Sequence, residues 1–84
     1  MNRITIKYFA SIREALGQSS ESFHTAATTA GQLRAELVAR GGMYAHVLAS
    51  GKAMRVAVNQ TMAEESTALT DGTEVAFFPP VTGG

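Results

Sequence analysis

Two consecutive prolines, Pro79-Pro80, limit what this chain can fold into. Proline fixes its own φ, offers no N–H to a sheet ladder and biases the preceding residue away from the helical region. The strand-like run Glu74 to Phe78 must therefore end there as a stiff, extended stalk. A folded domain has residues 1–78 to work with, and residues 79–84 form an extended tail of Pro79, Pro80, Val81, Thr82, Gly83 and Gly84. Val81 and Thr82 are β-branched and favour extended backbone, whereas Gly83 and Gly84 carry the terminal carboxylate on the thinnest possible stem. At ~3.3 Å per residue the tail spans roughly 20 Å, enough to enter another protein's active site.

The domain has to hold itself together by burial alone. The chain has 84 residues and no cysteine, which excludes disulfides, thiol catalysis and zinc–thiolate sites and fits a reducing compartment. A domain of this size buries only ~60–65% of the surface its unfolded chain exposes, so each apolar strand counts. Seven basic and seven acidic residues cancel, so no basic footprint points to nucleic acid or to an anionic membrane. Met1 to Lys7 alternates polar and apolar residues and lacks the continuous apolar stretch of a secretory signal. The longest apolar run, Val75 to Val81, falls far short of the ~20 residues needed to cross a membrane. A cytoplasmic protein is expected.

Periodicity then supplies the elements. Arg3 to Phe9 alternates, with Ile4, Ile6 and Tyr8 on one face and Thr5, Lys7 and Phe9 on the other. Ser11-Ile12-Arg13-Glu14 has capping-box form and opens a short helix in which Ile12 and Leu16 share a face and Gly17 is the stop. Glu21 to Thr25 alternates weakly around Phe23, as an exposed second strand would. Thr29-Ala30-Gly31-Gln32 is a second capping-box pattern and starts the main helix. Leu33 and Leu37, widened by Ala30 and Val38, form its buried stripe; Arg34 and Arg40 lie off it, and Gly41-Gly42 ends it. Met43 to Ser50 reads as a further short helix. Met54 to Val58 is a strand with Met54, Val56 and Val58 inward, Asn59-Gln60 a turn, and the stretch from Met62 a weak strand. Glu64-Glu65 fits a solvated turn. In Leu69-Thr70-Asp71-Gly72, Asp71 is expected to bond local backbone as the chain turns into the last strand.

That last strand breaks the rule for a solvated sheet. Val75 and Phe77 can face the core, but Ala76 and Phe78 occupy the other face, where polar side chains belong. Phe9 is similarly misplaced among Thr5 and Lys7, so an apolar cover is expected over both. The order strand, strand, helix, strand, strand gives an α+β class and suggests a β-grasp. Its mixed sheet would have about five strands, with one main helix and one or two short helices on one face. No nucleophile has a paired base, no phosphate loop is present, and His24 and His46 have no metal-ligand partners at useful spacing, so neither an autonomous enzyme nor a metal site is expected.

Three stretches resemble a known family, the ubiquitin-like sulfur carriers of the MoaD type, small subunits of molybdopterin synthase. They are Tyr8-Phe9-Ala10 with Arg13-Glu14, Ala57-Val58-Asn59-Gln60, and the block from Leu69-Thr70-Asp71-Gly72 through Phe77-Phe78-Pro79-Pro80-Val81-Thr82-Gly83-Gly84. The last is the specific one. The resemblance implies a ubiquitin-like β-grasp in which the first and last strands lie parallel at the sheet's centre. Phe9 and Phe78 would then stand together on the face away from the main helix, with Met62 extending a partner-binding patch by family position. It also implies that an E1-like adenylating enzyme uses ATP to activate the carboxylate of Gly84, with no cofactor held tightly by the chain itself. A sulfur donor system then leaves a thiocarboxylate on Gly84. The tail, Pro79 to Gly83 included, enters the large subunit of the synthase, and sulfur passes to a cyclic pyranopterin phosphate to build the dithiolene. The family suggests a heterotetramer. Without cysteine the chain has no persulfide route, and glycines let the acyl group enter narrow pockets without a side-chain clash.

Other readings of the same residues stay open. A carrier for thiamine or tRNA thiolation would share the tail, a protein modifier would join Gly84 to lysines, and a pure binding module would use Phe9 and Phe78 alone. Phe9 and Phe78 can also be read as core residues.

Overall fold

A strand that is apolar on both faces belongs inside a sheet, and Glu74–Phe78 lies there. The computed structural model describes residues 1–49 and 54–79 and contains one mixed sheet of five strands. They are β1 (Asn2–Tyr8), β2 (Ser20–Thr25), β3 (Arg55–Val58), β4 (Thr61–Ala63) and β5 (Glu74–Phe78), in the order β2-β1-β5-β3-β4. Helices α1 (Ala10–Leu16), α2 (Ala30–Ala39) and α3 (Gly42–Val47) pack against one face. The result is the α+β, β-grasp arrangement expected from the segment order.

The core follows the strand parity. Ile4, Ile6 and Tyr8 of β1, Val75 and Phe77 of β5 and Val56 of β3 are buried against Leu33, Leu37, Ile12 and Leu48. Each such side chain, fully buried, contributes roughly 1.5–3 kcal/mol. The parallel pairing of β1 with β5, from Thr5↔Glu74 to Tyr8↔Phe77, joins the two ends of the domain. Asp71 does not bond its own turn, as the sequence suggested. Its Oδ1 accepts the Arg3 backbone N–H at 2.8 Å, and the Gly72 N–H donates to the Arg3 carbonyl at 2.8 Å. The turn before β5 thus locks onto the start of β1 and sets the parallel register.

Helix α1 departs from expectation at its start. Phe9, not Ser11, is the N-cap, with extended backbone and no side-chain hydrogen bond; Ser11 lies inside the helix, and Glu14 does not close a capping box. The cause is the sheet. Phe9 still donates its N–H to the Phe77 carbonyl at 3.2 Å, while its own carbonyl already accepts from Ile12 at 3.1 Å. Ala10, with φ of 52°, makes the change from strand to helix in one residue. At the other end Gly17 takes the left-handed conformation, φ 75°, and its N–H caps the Arg13 carbonyl.

In α2 the Thr29 hydroxyl caps as expected, accepting the Gln32 N–H at 3.2 Å, but the Gln32 side chain returns to the Thr28 N–H at 2.8 Å and not to Thr29. Arg34 is the clearest correction. It sits off the apolar stripe in sequence, yet it is only 4% exposed. Its Nε donates to the Leu48 carbonyl at 2.7 Å, and its two terminal nitrogens reach the Ala49 carbonyl and Glu65. Glu65 is therefore an ion-pair partner and not part of a merely solvated turn. Helix α3 ends at Val47, short of Ser50, because Leu48 enters the core and offers its carbonyl to Arg34. Ser50 and Gly51 lie outside the described residues. Asn59 and Gln60, with φ of 51° and 67°, form the two-residue turn of the β3–β4 hairpin, which requires positive φ at both positions.

A polar hub closes the sheet's β2 side over the helices. The Glu21 carboxylate accepts from the Tyr8 hydroxyl at 2.7 Å, the Tyr44 hydroxyl at 2.9 Å, Gln18 at 3.0 Å and Arg40 at 3.0 Å. Arg40 also stacks over Phe23, 4.3 Å from its ring centroid, and over Tyr44 at 4.8 Å. Burial pushes the Glu21 carboxyl up, but the hydrogen bonds from Tyr8, Arg40 and Tyr44 and the Arg40 charge outweigh it, so the group is held below the usual carboxylate range. Burial, followed by the hydrogen bond to Glu21, pushes the Tyr8 phenol up. A depressed carboxyl contributes stability that is complete above its unfolded pKa and is lost as pH falls through its lower folded value. Denaturant midpoints measured from pH 7 down to about 3 should therefore fall for the intact chain, and Glu21→Gln should flatten that fall while lowering the midpoint at pH 7. A Glu21→Gln profile parallel to the parent's would remove the hub from the acid response.

Candidate functional site

The opposite face of the sheet has no helix over it among the described residues, and there the misplaced apolar side chains gather. Pairing runs Lys7↔Ala76, Ala76↔Ala57 and Ala57↔Met62 across β1, β5, β3 and β4, so these four side chains form one transverse row. The next row holds Phe78 opposite Arg55, with Phe9 just beyond the end of β1. The Phe9 and Phe78 rings meet edge to face, centroids 6.2 Å apart and planes at 86°. Phe78 is half-buried by this contact, whereas Phe9 is 44% exposed and Met62 is 52% exposed. Ala57 and Ala76, each 7% exposed, make a low floor between them.

Three features of the sequence produce this band. The alternation of β1 sends Phe9 to the face opposite Tyr8, and the left-handed turn at Ala10 carries the chain into α1 directly behind it. The alternation of β5 sends Phe78 to the same face and leaves Phe77 in the core. The tight Asn59-Gln60 turn fixes Met62 opposite Ala57. Exposed aromatic and methionine side chains clustered on one face of a small domain form an apolar patch of the kind that partner proteins cover.

Of the sequence-expected site residues, Phe9, Phe78 and Met62 thus come to one face. Pro79 does not point with them: it borders an open groove of about 400 Å³ on the helix side, with Ser11, Ile12, Ala15, Met43 and Val47. That groove is lined mainly by apolar side chains and holds none of the aromatic band. Pro80, Val81, Thr82, Gly83 and Gly84 lie outside the described residues. Ala57, Lys7 and Arg55 complete the face but were not singled out from sequence; Ala57 follows from the register Ala57↔Ala76, which only the folded hairpin defines. Among the described residues no three His, Asp or Glu side chains gather to hold a metal, and no helix is long and apolar enough to cross a membrane.

Known proteins share both sequence and backbone with this chain. The ThiS family profile matches residues 6–84, through to the last glycine. A molybdopterin synthase sulfur carrier subunit of Escherichia coli K12 is 42% identical over 81 residues, covering 96% of this chain and 99% of that one. Its counterpart in Haemophilus influenzae is 38% identical over the same shares of the two chains. Among solved structures, SAMP1 from Haloferax volcanii superposes with a TM-score of 0.77 at 26% identity, covering 99% of this chain and all of that one. Subunits 1 and 2 of the molybdopterin-converting factor of Helicobacter pylori were solved as a protein–protein complex, in which the matching chain has a TM-score of 0.66 at 24% identity. It covers 98% of the present chain and 99% of its own.

Proposed function

The chain belongs to the ThiS family, and from that premise we propose that it is the sulfur-carrier subunit of a molybdopterin synthase. The observation that carries this reading is that the match runs to Gly84 in a chain with no cysteine, so the terminal carboxyl is the one group on which sulfur can travel. A carboxylate is a poor acyl donor because its charge is delocalised and its oxide leaves badly. An E1-like adenylating enzyme removes that barrier: a Gly84 carboxylate oxygen attacks the α-phosphorus of ATP, pyrophosphate leaves, and an acyl-adenylate forms. Sulfide-level sulfur (HS⁻) supplied by a donor system then attacks the acyl carbon, the acyl–phosphate C–O bond breaks and AMP leaves, which yields the Gly84 thiocarboxylate. ATP is thus consumed on the activating enzyme and not held by this chain.

The sulfur is next delivered inside the large subunit to a cyclic pyranopterin phosphate, and two such deliveries build the dithiolene. In this reading Phe9, Phe78 and Met62 dock the partner, Pro79, Pro80, Val81 and Thr82 carry the tail inward, and Gly83 keeps the approach to Gly84 narrow. The complex of the Helicobacter pylori subunits supports a large-subunit partner and is compatible with a heterotetramer. Intact-mass measurement after incubation with the activating enzyme, ATP and a sulfur donor should show one oxygen replaced by sulfur at Gly84. An unmodified mass under conditions that load a known carrier would overturn the proposal. The likeness to the small archaeal modifier protein SAMP1 favours one second reading, in which Gly84 is joined to amines; the same spectra would then show isopeptide adducts in place of the thiocarboxylate.

A further inference from the structure

The open face of the sheet is charged as well as apolar. Each of the two rows that make the apolar band also carries one cation: Lys7 stands beside Ala76, and Arg55 stands opposite Phe78. Arg3, two residues before Thr5 on β1, lies on the same side, and Glu74 is the one carboxylate among the strand residues of this face. Glu74 approaches Lys7 at 4.0 Å, at the outer limit of an ion pair. Arg55 is exposed and has no ion-pair partner among the described residues. The chain as a whole has seven basic and seven acidic residues. Among the strand residues of this face three cations stand against one carboxylate, so its strands carry a local positive excess.

We propose that Lys7 and Arg55 are a steering pair, and that the surface docking on this face is an apolar centre flanked by carboxylates positioned to meet them. The inference rests on the carrier reading above, and the partner is the large subunit of the synthase. The two kinds of side chain have separable tasks. Phe9, Phe78 and Met62 lose water on contact and set how long the complex lasts, whereas exposed charges at a rim act mainly on the rate and orientation of encounter. A second copy of the chain is the poorer occupant, because two such faces would bring like charges together.

Association kinetics with the large subunit test this at about 50 mM and about 500 mM salt, where screening shortens from roughly 14 Å to 4 Å. For the unaltered chain the association rate should fall severalfold as salt rises. The double variant Lys7→Glu/Arg55→Glu should associate about tenfold more slowly at low salt, with that loss shrinking at high salt and the dissociation rate nearly unchanged. Lys7→Gln/Arg55→Gln should lie between the two, which keeps the test valid if the reversed pair disturbs the sheet. Phe78→Ala should act the other way, raising the dissociation rate about thirtyfold with little salt dependence. Normal complex formation whose rate ignores both the reversal and the salt would overturn the steering pair while leaving the carrier reading intact. No association of the unaltered chain at either salt would overturn the carrier reading and this inference with it. Self-association of the unaltered chain that charge reversal abolishes would assign the face to a second copy and likewise overturn it.

Discussion

Removal of Gly84 alone should abolish sulfur transfer while leaving the domain's melting temperature and its affinity for the large subunit essentially unchanged. Among the described residues the last member of the buried core is Phe77, seven positions before Gly84. The variant still ends in a glycine carboxylate, that of Gly83, so the chemical group survives and only its position changes. Shortening the tail by one residue withdraws that group by ~3.5 Å. Misplacing a reacting atom by about 1 Å can cost on the order of a hundredfold, so the loss should exceed that in a single-turnover assay of dithiolene formation. A truncated chain that transfers sulfur within tenfold of the parent would end the mechanism. A chain that folds but no longer binds would move the tail from delivery to docking.

Arg34→Ala should be among the most destabilising polar substitutions in the domain, by about 3 kcal/mol. The guanidinium holds the Leu48 and Ala49 carbonyls and Glu65 at once, tying α2 to the segment after α3 and to the turn after β4. Truncation strands the Leu48 and Ala49 carbonyls without this donor, whereas Glu65 is exposed and turns to water. The packing leaves little room to relax: the Gly31 N–H bonds the Glu65 carbonyl at 2.8 Å, and a Cβ at Gly31 would lie 3.1 Å from that oxygen. For a domain of this size a loss of ~3 kcal/mol lowers the melting temperature by more than ~12 °C. Arg34→Lys should recover only part of it, since an ammonium cannot span the three acceptors as a planar fork does. Sulfur transfer per folded molecule should be unaffected, because Arg34 lies on the helix side of the sheet. A loss below about 1 kcal/mol in denaturant unfolding would show that water satisfies the carbonyls once the side chain is gone.

The errors of the sequence reading share a physical origin with Arg34. An arginine one position from Leu33 reads as solvated by helix periodicity, since period 3.6 describes a helix against one flat neighbour. Here α2 also meets the chain after α3, which covers its flank. Ser11 reads as a cap because its local pattern is right, but the ladder between Phe9 and Phe77 starts the helix two residues earlier. Asp71 bonds Arg3, 68 positions away, where local rules see only its own turn.

What the sequence determined by itself came from strand periodicity and covalent chemistry, and not from every local pattern, as Ser11 and Asp71 show. Two-residue alternation fixed which sides of β1 and β5 are core. Pro79-Pro80 bar the last strand from continuing as a central ladder strand, and the lack of cysteine removes any thiol route. Tertiary structure decided which strands lie side by side. Only the parallel pairing of β1 with β5 and the register of β3 bring Phe9 onto Phe78 and align Ala76, Ala57 and Met62 beside Lys7 and Arg55. Strand parity tells each residue its face, but it says nothing of its neighbours across the sheet. Those depend on pairings between segments up to about 70 residues apart, whose cost and reward are settled by the whole fold at once.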